Sequence, residues 1–309
     1  MTSNYTFRAP TFDDAKPVLD LMIRCDIHES GEADSEMEDL VGDWKELDLN
    51  QDAWLIFSSA ENLIGYASVN PWGPDLKYDI YAEPTLDDGN NELVRELLSR
   101  CEARGAQLAN GEKEIENAKC YAVSVNQPLG NALADAGFEI KKYVYNMQAE
   151  FDSSPPPAQL PMGISIRNPI IEQDEQKIYE VIQSAFERPG RTTPSFEDWK
   201  GFMLRPEIFK PEFWFLAMRG DELVGACLSY EYSESDQGWV RQLGVLESHR
   251  RTGLGSALLQ HAFHEFYKHG FKKVGLAVES DNQRAIRFYE NVGMKQIRRF
   301  DEYAKPFEN

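Results

Sequence analysis

The stretch "VLESHRRTGLGSALLQHAF", residues 245–263, determines how the rest of the chain is interpreted. Apolar residues recur with a helical period from about Ser256, which predicts a helix that continues to His269. Two glycines, Gly253 and Gly255, stand at the beginning of this helix, next to paired arginines. A glycine inside a helix costs about 1 kcal/mol relative to alanine, so the glycines need an explanation other than helix propensity.

A phosphate-binding loop explains both the glycines and the arginines. The loop follows a predicted strand and opens a helix whose first amides have no partner within the helix. Glycine lets a pyrophosphate approach those amides, and Arg250 and Arg251 can add charge-assisted hydrogen bonds. A Rossmann fingerprint would need a glycine or alanine at Leu258, and the P-loop pattern is absent. The pattern that remains is R-x-x-G-x-G.

The charge of the chain is strongly acidic and unevenly distributed. The 309 residues include 32 Lys and Arg against 52 Asp and Glu, for a net charge of −20. Residues 1–160 contain 12 basic and 30 acidic residues, whereas residues 161–309 contain 20 and 22. This balance argues against nucleic acid as a partner, and it predicts that an anionic ligand binds in the second half.

Composition predicts a globular, cytoplasmic protein. Apolar residues make up 42% of the chain. The first residues lack the pattern of a signal peptide, and no apolar run is long enough for a membrane span. The cysteines are scattered without C-x-x-C spacing, which indicates reduced thiols and predicts neither a disulfide framework nor a metal site.

An internal duplication is indicated on either side of a Pro-rich stretch. Arg8 matches Arg167, Gly65 matches Gly225, and similar matches recur in order at an offset of 156–160 residues. Several ordered matches favour duplication over two unrelated α/β domains, which is the alternative. We therefore expect a first domain at 1–150, a linker at 151–162 and a second domain at 163–309.

The second half predicts a mixed sheet with a helix after the glycine loop. Its strands, loop, helices and final strand occur in an order that is typical of an α/β or α+β fold with a mixed sheet. Asn282 can cap the helix after the strand at 272–280, and Gly293 ends that helix. The last strand, "KQIRRFDEYAK", is predicted to close the second domain.

Residues 239–263 and 274–294 resemble the acetyl-CoA-binding core of the GNAT family of N-acetyltransferases. The tandem layout is similar to the two-domain, mycothiol-synthase-like branch of that family. The resemblance implies two GNAT-like domains, with pantetheine held at the strand before the loop, pyrophosphate in the loop, and the following helix beside the cofactor. The implied cofactor-binding residues are Leu243, Gly244, Val245, Arg250, Arg251, Thr252, Gly253, Leu254, Gly255, Ser256, Asn282, Ala285 and Phe288.

Tyr289 falls at the position of the family's usual tyrosine, which implies that it protonates the departing CoA thiolate. A phenol with a pKa near 10 is suited to that task. The alternative is that Tyr289 is a core residue, because Ala285 and Val292 share its helical face. Many family members place a general-base glutamate on the strand before the loop, but Trp239 stands there. Glu231, Glu234 and Asp236 lie just upstream, and the base stays unassigned.

The first half resembles a degenerate copy. When the two halves are aligned at their glutamates before the loop, Leu86, Asp87 and Asn91 replace Arg250, Arg251 and Gly255. Asp88 adds a further negative charge, which would repel a pyrophosphate. Leu133 stands where the second half has Tyr289. We expect that the first domain has lost both the phosphate site and the proton donor.

Two further signals are weaker. The acidic cluster "HESGEADSEMEDL", residues 28–40, is either a solvated helix start or a wall that attracts a cation near the acceptor. His261, His264 and Glu265 share a helix, but no third metal ligand is evident, so a solvated helix face is the simpler interpretation.

These expectations combine into one functional hypothesis. The chain is expected to transfer acetyl from acetyl-CoA to a primary amine by direct attack, with catalysis in the second domain. The acceptor is expected to be a small, possibly cationic amine, although a protein N-terminus remains an alternative, and no metal is expected. The alternative of another class is a non-catalytic acyl-CoA-binding or regulatory protein. The oligomeric state cannot be read from the sequence.

Overall fold

The computed structural model describes residues 5–86, 89–111, 115–187, 193–205 and 208–307. Helices and strands are interspersed along both halves, and the strands pair both parallel and antiparallel, so the predicted mixed α/β fold is confirmed. Among these residues, no helix combines the length and apolar character that crossing a membrane requires.

The chain divides into two compact units. The first comprises Met1–Tyr145, Glu279–Asp281 and Arg298–Asn309, and the second comprises Asn146–Val278 and Asn282–Ile297. Each unit contains its own strands and its own helices on both faces of them. Each unit therefore buries a hydrophobic core of its own.

The elements of the first half follow one another in the order strand, helices, three strands, helix, strand, helix, strand. They are β1 (Thr6–Arg8), α1 (Ala15–Ser30), α2 (Met37–Lys45), α3 (Leu49–Asp52), β2 (Ala53–Phe57), β3 (Leu63–Trp72), β4 (Asp75–Ala82), α4 (Gly89–Ala109), β5 (Asn117–Val123), α5 (Gln127–Asp135) and β6 (Glu139–Glu150).

The second half repeats this order. Its elements are β7 (Ile164–Arg167), α6 (Glu175–Ala185), α7 (Phe196–Met203), β8 (Trp214–Arg219), β9 (Glu222–Tyr232), β10 (Gln237–Val245), α8 (Leu254–Lys268), β11 (Lys273–Glu279), α9 (Gln283–Asn291) and β12 (Lys295–Pro306). The helix after the glycine loop begins at Leu254, two residues earlier than the sequence predicts, so Gly255 lies in its first turn.

The strand order is the same in both units up to the last strands. In the first unit it is β1-β2-β3-β4-β5-β12, and in the second it is β7-β8-β9-β10-β11, while β6 is divided, with residues up to Tyr145 in the first unit and those from Asn146 in the second. Within each unit the first four strands are antiparallel neighbours, and the fourth pairs with the fifth in parallel. Each parallel connection passes through one helix, α4 or α8, as parallel strands require.

The sequence predicts that the last strand closes the second domain. In the structure, most of that strand instead belongs to the first unit. From Arg298 onward, β12 belongs to the first unit, where it pairs with β5 in a register that runs from Phe300 opposite Val123 to Pro306 opposite Asn117. Lys305 adds a 2.6 Å ion pair with Glu102. The alternation of apolar residues predicts a strand but contains no information about which sheet receives it.

Consecutive buried residues in single strands show that both faces of the strands are covered. In β2, Leu55 packs in the cluster of α1 and α2, while Ile56 packs in the cluster of α4 and α5. In β8, Trp214 packs against α7, and its neighbour Phe215 is equally buried. Adjacent strand residues point to opposite faces, so the apolar run "FWFLAM" is what a strand between two helical layers needs.

The duplicated sequence signals occupy equivalent places in the two units. Arg8 donates to both carboxylate oxygens of Asp14 at 2.7 and 2.5 Å, and Arg167 does the same to Asp174 at 2.6 and 2.9 Å. Each aspartate also accepts a backbone N–H of the loop before the first long helix of its unit. Such bidentate pairs hold the loop in one conformation.

Matched residues later in the repeat also occupy equivalent places in the two units. Asn126 and Asn282 cap α5 and α9, since each side-chain oxygen accepts the N–H three residues onward, at 3.0 and 3.1 Å. Gly137 and Gly293, which follow these helices, both have positive φ angles of 86° and 99°. The paired roles support a duplicated fold.

Removing either bidentate carboxylate should destabilise its unit. We expect Asp14→Asn and Asp174→Asn each to lower the free energy of unfolding by about 1–2 kcal/mol, near the low end for charged hydrogen bonds because the arginines are partly exposed. Arg8 lowers the pKa of Asp14 to about 2. The stabilisation that ionised Asp14 contributes is therefore complete above the pKa that Asp14 has in the unfolded chain. It is lost as pH falls through about 2, the pKa of Asp14 in the folded chain. Denaturant titration measures it.

Asp20→Asn is the matched control, since it breaks an exposed ion pair with Lys16 on the surface of α1. Exposed pairs four residues apart contribute only about 0.3–0.5 kcal/mol. If Asp14→Asn and Asp174→Asn cost no more than Asp20→Asn, the bidentate pairs do not stabilise the fold.

Candidate active site

The glycine loop of the second unit has an unusual backbone that only a few residue types tolerate. Arg251 has a φ of 64° and Gly253 has a φ of 87°, both in the left-handed region. Gly253 is the N-cap of α8, and a Cβ added there would meet no atom within 4 Å. Gly253 is thus required by its backbone conformation and not by crowding.

The first turn of α8 leaves amides available for an anion. The hydrogen bond from Ala257 N–H to the Gly253 carbonyl, at 3.0 Å, begins the helical ladder. The amides of Leu254, Gly255 and Ser256 therefore precede the ladder and lie at the positive end of the helix dipole. This arrangement is what a pyrophosphate needs.

Two polar side chains of the glycine loop stabilise its conformation through hydrogen bonds to backbone carbonyls. Arg250 donates to the backbone carbonyls of Val245 at 3.2 Å and Ala185 at 3.3 Å. Thr252 donates its hydroxyl to the carbonyl of His249 at 2.7 Å. A guanidinium has five N–H donors, so these two contacts leave Arg250 with donors for a ligand.

The structure brings the loop and α9 together. A Cβ added at Gly255 would lie 3.5 Å from the ring of Phe288 and 3.9 Å from Val245. Phe288 itself packs against Tyr289, with 5.1 Å between the ring centroids. Asn282, whose side-chain oxygen caps α9, lies two turns before these aromatic residues. The strand before the loop, the glycine loop and α9 thus meet at the N-terminal end of α8, where Val245, Gly255 and Phe288 lie close together.

The strand before the loop diverges from its parallel neighbour. The pairing of β10 with β11 covers Gly238 and Trp239, whereas β10 continues beside β9 as far as Val245. A register shift between Val240 and Gln242 adds a bulge at this point. The segment that contains Leu243, Gly244 and Val245 therefore borders a gap on the β11 side, where an extended ligand could add backbone hydrogen bonds.

Gly244 is required by close packing. A Cβ on it would lie 2.9 Å from the Ala185 side chain and 3.0 Å from that of Ile182 on α6. Real Cβ atoms are not found that close to their neighbours, so any larger residue would displace α6 from the strand. The sequence motif alone does not reveal this contact.

Tyr289 is half-buried on α9. Burial, and secondarily the nearby thiol of Cys227, raises the pKa of the phenol to about 12. Tyr289 is therefore protonated throughout the neutral pH range, as a proton donor must be. Cys227 is completely buried on β9, opposite Leu243. No sequence pattern predicts that this thiol lies near Tyr289.

Trp239, at the position of the family's strand glutamate, is a core residue. It is 8% exposed and stacks on Tyr232 with 5.9 Å between ring centroids. Of the upstream acids, Glu231 forms an ion pair with Lys210. Glu234 and Asp236 lie in the β9–β10 turn, at the end of β10 opposite the glycine loop. None of the three is identified as a base by its position.

The histidine-bearing face of α8 has structural contacts. His261 packs edge-on against Phe215, with 4.8 Å between ring centroids, and His264 lies 3.1 Å from the Pro155 carbonyl of the predicted linker. Phe151 packs on Phe263 of the same helix. Within the described ranges, no group of three or more histidine, cysteine or acidic side chains could hold a metal.

In the equivalent loop of the first unit, the described positions differ from those of the second unit. Asp87 and Asp88 lie outside the described residues. Leu86 is partly buried against the core, and Asn91 is exposed in the first turn of α4. Leu133, at the position of Tyr289, is completely buried. The aliphatic Leu133 cannot donate a proton.

The match to known proteins centres on the second half. Residues 175–294 match the model of the Acetyltransferase (GNAT) family. Residues 175–294 are therefore a GNAT acetyltransferase domain. Enzymes of this family use acetyl-CoA, so the chain is an acetyl-transferring enzyme. The family model ends before β12 and covers neither the first half nor its loop.

Two curated relatives illustrate the range of the family. A mycothiol acetyltransferase from Streptomyces scabiei is 26% identical over 248 residues, which cover 77% of this chain and 75% of the relative. The human N-alpha-acetyltransferase 30 is 32% identical, but only over 96 residues, 30% of this chain and 26% of that one. The chain is thus similar along most of its length to the mycothiol acetyltransferase, and over less than a third of its length to the N-alpha-acetyltransferase.

Solved structures support the tandem fold. A GCN5-related N-acetyltransferase from Sphaerobacter thermophilus is 26% identical, with a TM-score of 0.78 over 98% of this chain and 95% of the other. A tandem GNAT protein from the clavulanic acid biosynthesis pathway has a TM-score of 0.73 over 98% of both chains. At 16% identity, the latter similarity concerns the fold alone.

Proposed function

We propose that this enzyme transfers acetyl from acetyl-CoA to a primary amine, and that the second unit carries out the chemistry. The observation that carries the proposal is the convergence of the left-handed Gly253 loop, the open first turn of α8 and the gap beside β10. The equivalent loop of the first unit has Leu86 and Asn91 in place of an arginine and a glycine.

The residues of the second unit fit acetyl-CoA. The amides of Gly255 and its neighbours, with Arg250 and Arg251, would hold the pyrophosphate. The backbone of Leu243 and Val245 would hold the pantetheine arm like an added strand. Acetyl-CoA supplies an acetyl group that is activated as a thioester. The predicted domains, 1–150 and 163–309, remain part of this proposal, except that residues 298–309 belong to the first unit.

Tyr289 would act as the general acid. Its phenol is protonated at neutral pH, as any tyrosine with a pKa near 10 is, and burial raises that pKa further, to about 12. The thiolate acquires negative charge as it leaves, and a positioned phenol can neutralise that charge by supplying a proton. The thiol of Cys227 has a pKa raised to about 12 by burial, so it is protonated and unsuited to act as a nucleophile.

The amine would attack directly, without an acetylated enzyme. It must be neutral to attack, and with Trp239 at the usual glutamate position its proton would leave through another group or through water. The curated relatives named mycothiol acetyltransferase favour a small amine over a protein N-terminus, because they match most of the chain. We therefore propose a small amine as acceptor, in the cytoplasm, and a cationic amine fits the acidic first half.

A screen for CoA release tests this function. The full chain is incubated with acetyl-CoA and with amines from four classes: amino sugars, amino acids, diamines and peptides with a free N-terminus. We expect one small-amine class to release CoA above the rate without acceptor, with an equal amount of N-acetylated product by mass spectrometry. Binding of acetyl-CoA without transfer to any class would favour the non-catalytic alternative.

A further inference from the structure

The first unit contains a cavity of about 610 Å³ that the acetyl transfer does not explain. The cavity forms where β4 separates from β5, whose pairing covers Leu76–Tyr78 opposite Ala118–Cys120. The following segments, residues 79–82 of β4 and 121–123 of β5, line the cavity. All of its lining residues belong to the first unit, so the cavity is a property of that unit alone.

The charge of the lining is strongly negative. Six carboxylates come from the acidic stretch around α1 and α2, and a seventh, Asp79, comes from β4. The six are Asp26, Glu29, Asp34, Glu36, Asp39 and Asp43. Two basic side chains, Lys77 and His28, share the lining, and Lys77 lies 2.9 Å from Asp79. Carboxylates thus outnumber basic groups by seven to two among the lining residues, and the buried Arg298, which does not line the cavity, forms an ion pair with Asp34 at 2.6 Å.

Several of these carboxylates are deeply buried. Glu36 is 1% exposed and Asp26 is 7% exposed, yet both face the cavity. Asp26 accepts the N–H groups of Asp34 and Ser35 at 2.9 and 2.8 Å, which orients it rigidly. Burial raises the pKa of Glu29 to about 7, even though Asn126 donates a hydrogen bond to it. Grouped buried carboxylates are costly to fold and are therefore typical of sites that bind a ligand.

Apolar side chains form another part of the lining, beside neutral polar ones such as Ser35 and Asn91. Met22, Leu40, Ile80, Val94 and Phe300 contribute to it from both sides of the strands. A concave, partly apolar pocket with a few convergent charged groups is the usual form of a small-molecule site. A bare metal ion would not use the apolar part, and an acyl-CoA pyrophosphate would be repelled by the carboxylates.

We infer that this cavity binds a small organic cation, a molecule with a primary ammonium group on a short apolar body. The ammonium group interacts with the carboxylates of α1 and α2, and the apolar body packs on Met22, Leu40 and Phe300. The acidic stretch 28–40 is thus the wall of a binding site and not a solvated helix start. This site is separate from the glycine loop and does not depend on the proposed acetyl transfer.

Calorimetric titration of the full chain without acetyl-CoA tests the inference. The probes are tyramine, putrescine and agmatine, and 4-ethylphenol and 4-hydroxyphenylacetate are the neutral and anionic counterparts of tyramine. We expect at least one cation to bind one per chain with a Kd below about 1 mM, and neither counterpart to do so. The proposal would be overturned if none of the three cations bound. It would also be overturned if tyramine and its two counterparts bound equally well.

Variants locate the site. Glu29→Gln keeps an oxygen for Asn126 but removes the charge, and Asp39→Asn removes a charge from α2, so each should weaken cation binding by about fivefold or more. Glu46→Gln changes the net charge equally at an exposed position outside the cavity and should have no effect. Gly255→Glu should also leave cation binding unchanged, which separates this site from the acetyl-CoA site. Equal weakening by Glu46→Gln would mean that only the overall charge of the chain attracts the cation.

Discussion

Replacing Tyr289 with phenylalanine should lower turnover with a good acceptor by roughly 10²–10⁴-fold, the range for loss of one general acid. Tyr289→Phe keeps the ring that packs against Phe288 and removes only the hydroxyl. Acetyl-CoA affinity and stability should therefore change little. Because the proton is needed only as the thiolate leaves, kcat and kcat/KM should fall together.

The matched control is Tyr267→Phe, which removes a hydroxyl from another half-buried tyrosine of the second unit, on α8. This variant should turn over at the parent rate. If Tyr289→Phe acetylates as fast as Tyr267→Phe, Tyr289 is a packing residue and water protonates the thiolate. A fall in acetyl-CoA affinity without a fall in kcat would assign Tyr289 to binding.

Gly255→Glu should weaken acetyl-CoA binding well over tenfold, a change of more than 1.4 kcal/mol. The variant places a carboxylate in the first turn of α8, where the unpaired amides would otherwise face the pyrophosphate. Gly255 has no positive φ, and a Cβ there would make an ordinary contact of 3.5 Å with Phe288, so the fold should tolerate the change. Calorimetric titration with acetyl-CoA measures the effect.

Asn91→Glu provides the control for charge. Asn91 is the residue of the first unit that aligns with Gly255, and it is exposed in the first turn of α4. Asn91→Glu adds the same carboxylate at the start of the equivalent helix and should leave acetyl-CoA affinity unchanged. An unchanged affinity in folded Gly255→Glu would remove the pyrophosphate site from the glycine loop.

Local signals in the sequence predicted the fold of the second unit well. The period of apolar residues, the cap at Asn282 and the glycine at 293 are properties of a few neighbouring residues, and each has the predicted structural role. The internal repeat was equally readable, since Arg8 and Arg167 make the same bidentate contact. These features depend on short-range chemistry.

Features that depend on distant residues could not be predicted in this way. The pairing of β12 with β5 joins residues more than 170 positions apart, and a strand pattern does not specify its partner. Gly244 is constrained by α6, and Trp239 by Tyr232, through contacts that appear only in the folded chain. The acidic stretch 28–40 was visible, but whether it faces solvent or a cavity depended on where β4 and β5 separate.

The most direct test of the account is the number of acetyl-CoA molecules bound per chain. Equilibrium dialysis of the full chain against acetyl-CoA measures it, with Gly255→Glu and Asn91→Glu dialysed in parallel. We expect one site per chain, lost in Gly255→Glu and retained in Asn91→Glu, because the second half has the glycine loop beside Arg250 and Arg251, whereas Leu86, Asp87 and Asn91 stand at the equivalent positions of the first half. Two equivalent sites per chain, or one site that Asn91→Glu abolishes and Gly255→Glu spares, would contradict it.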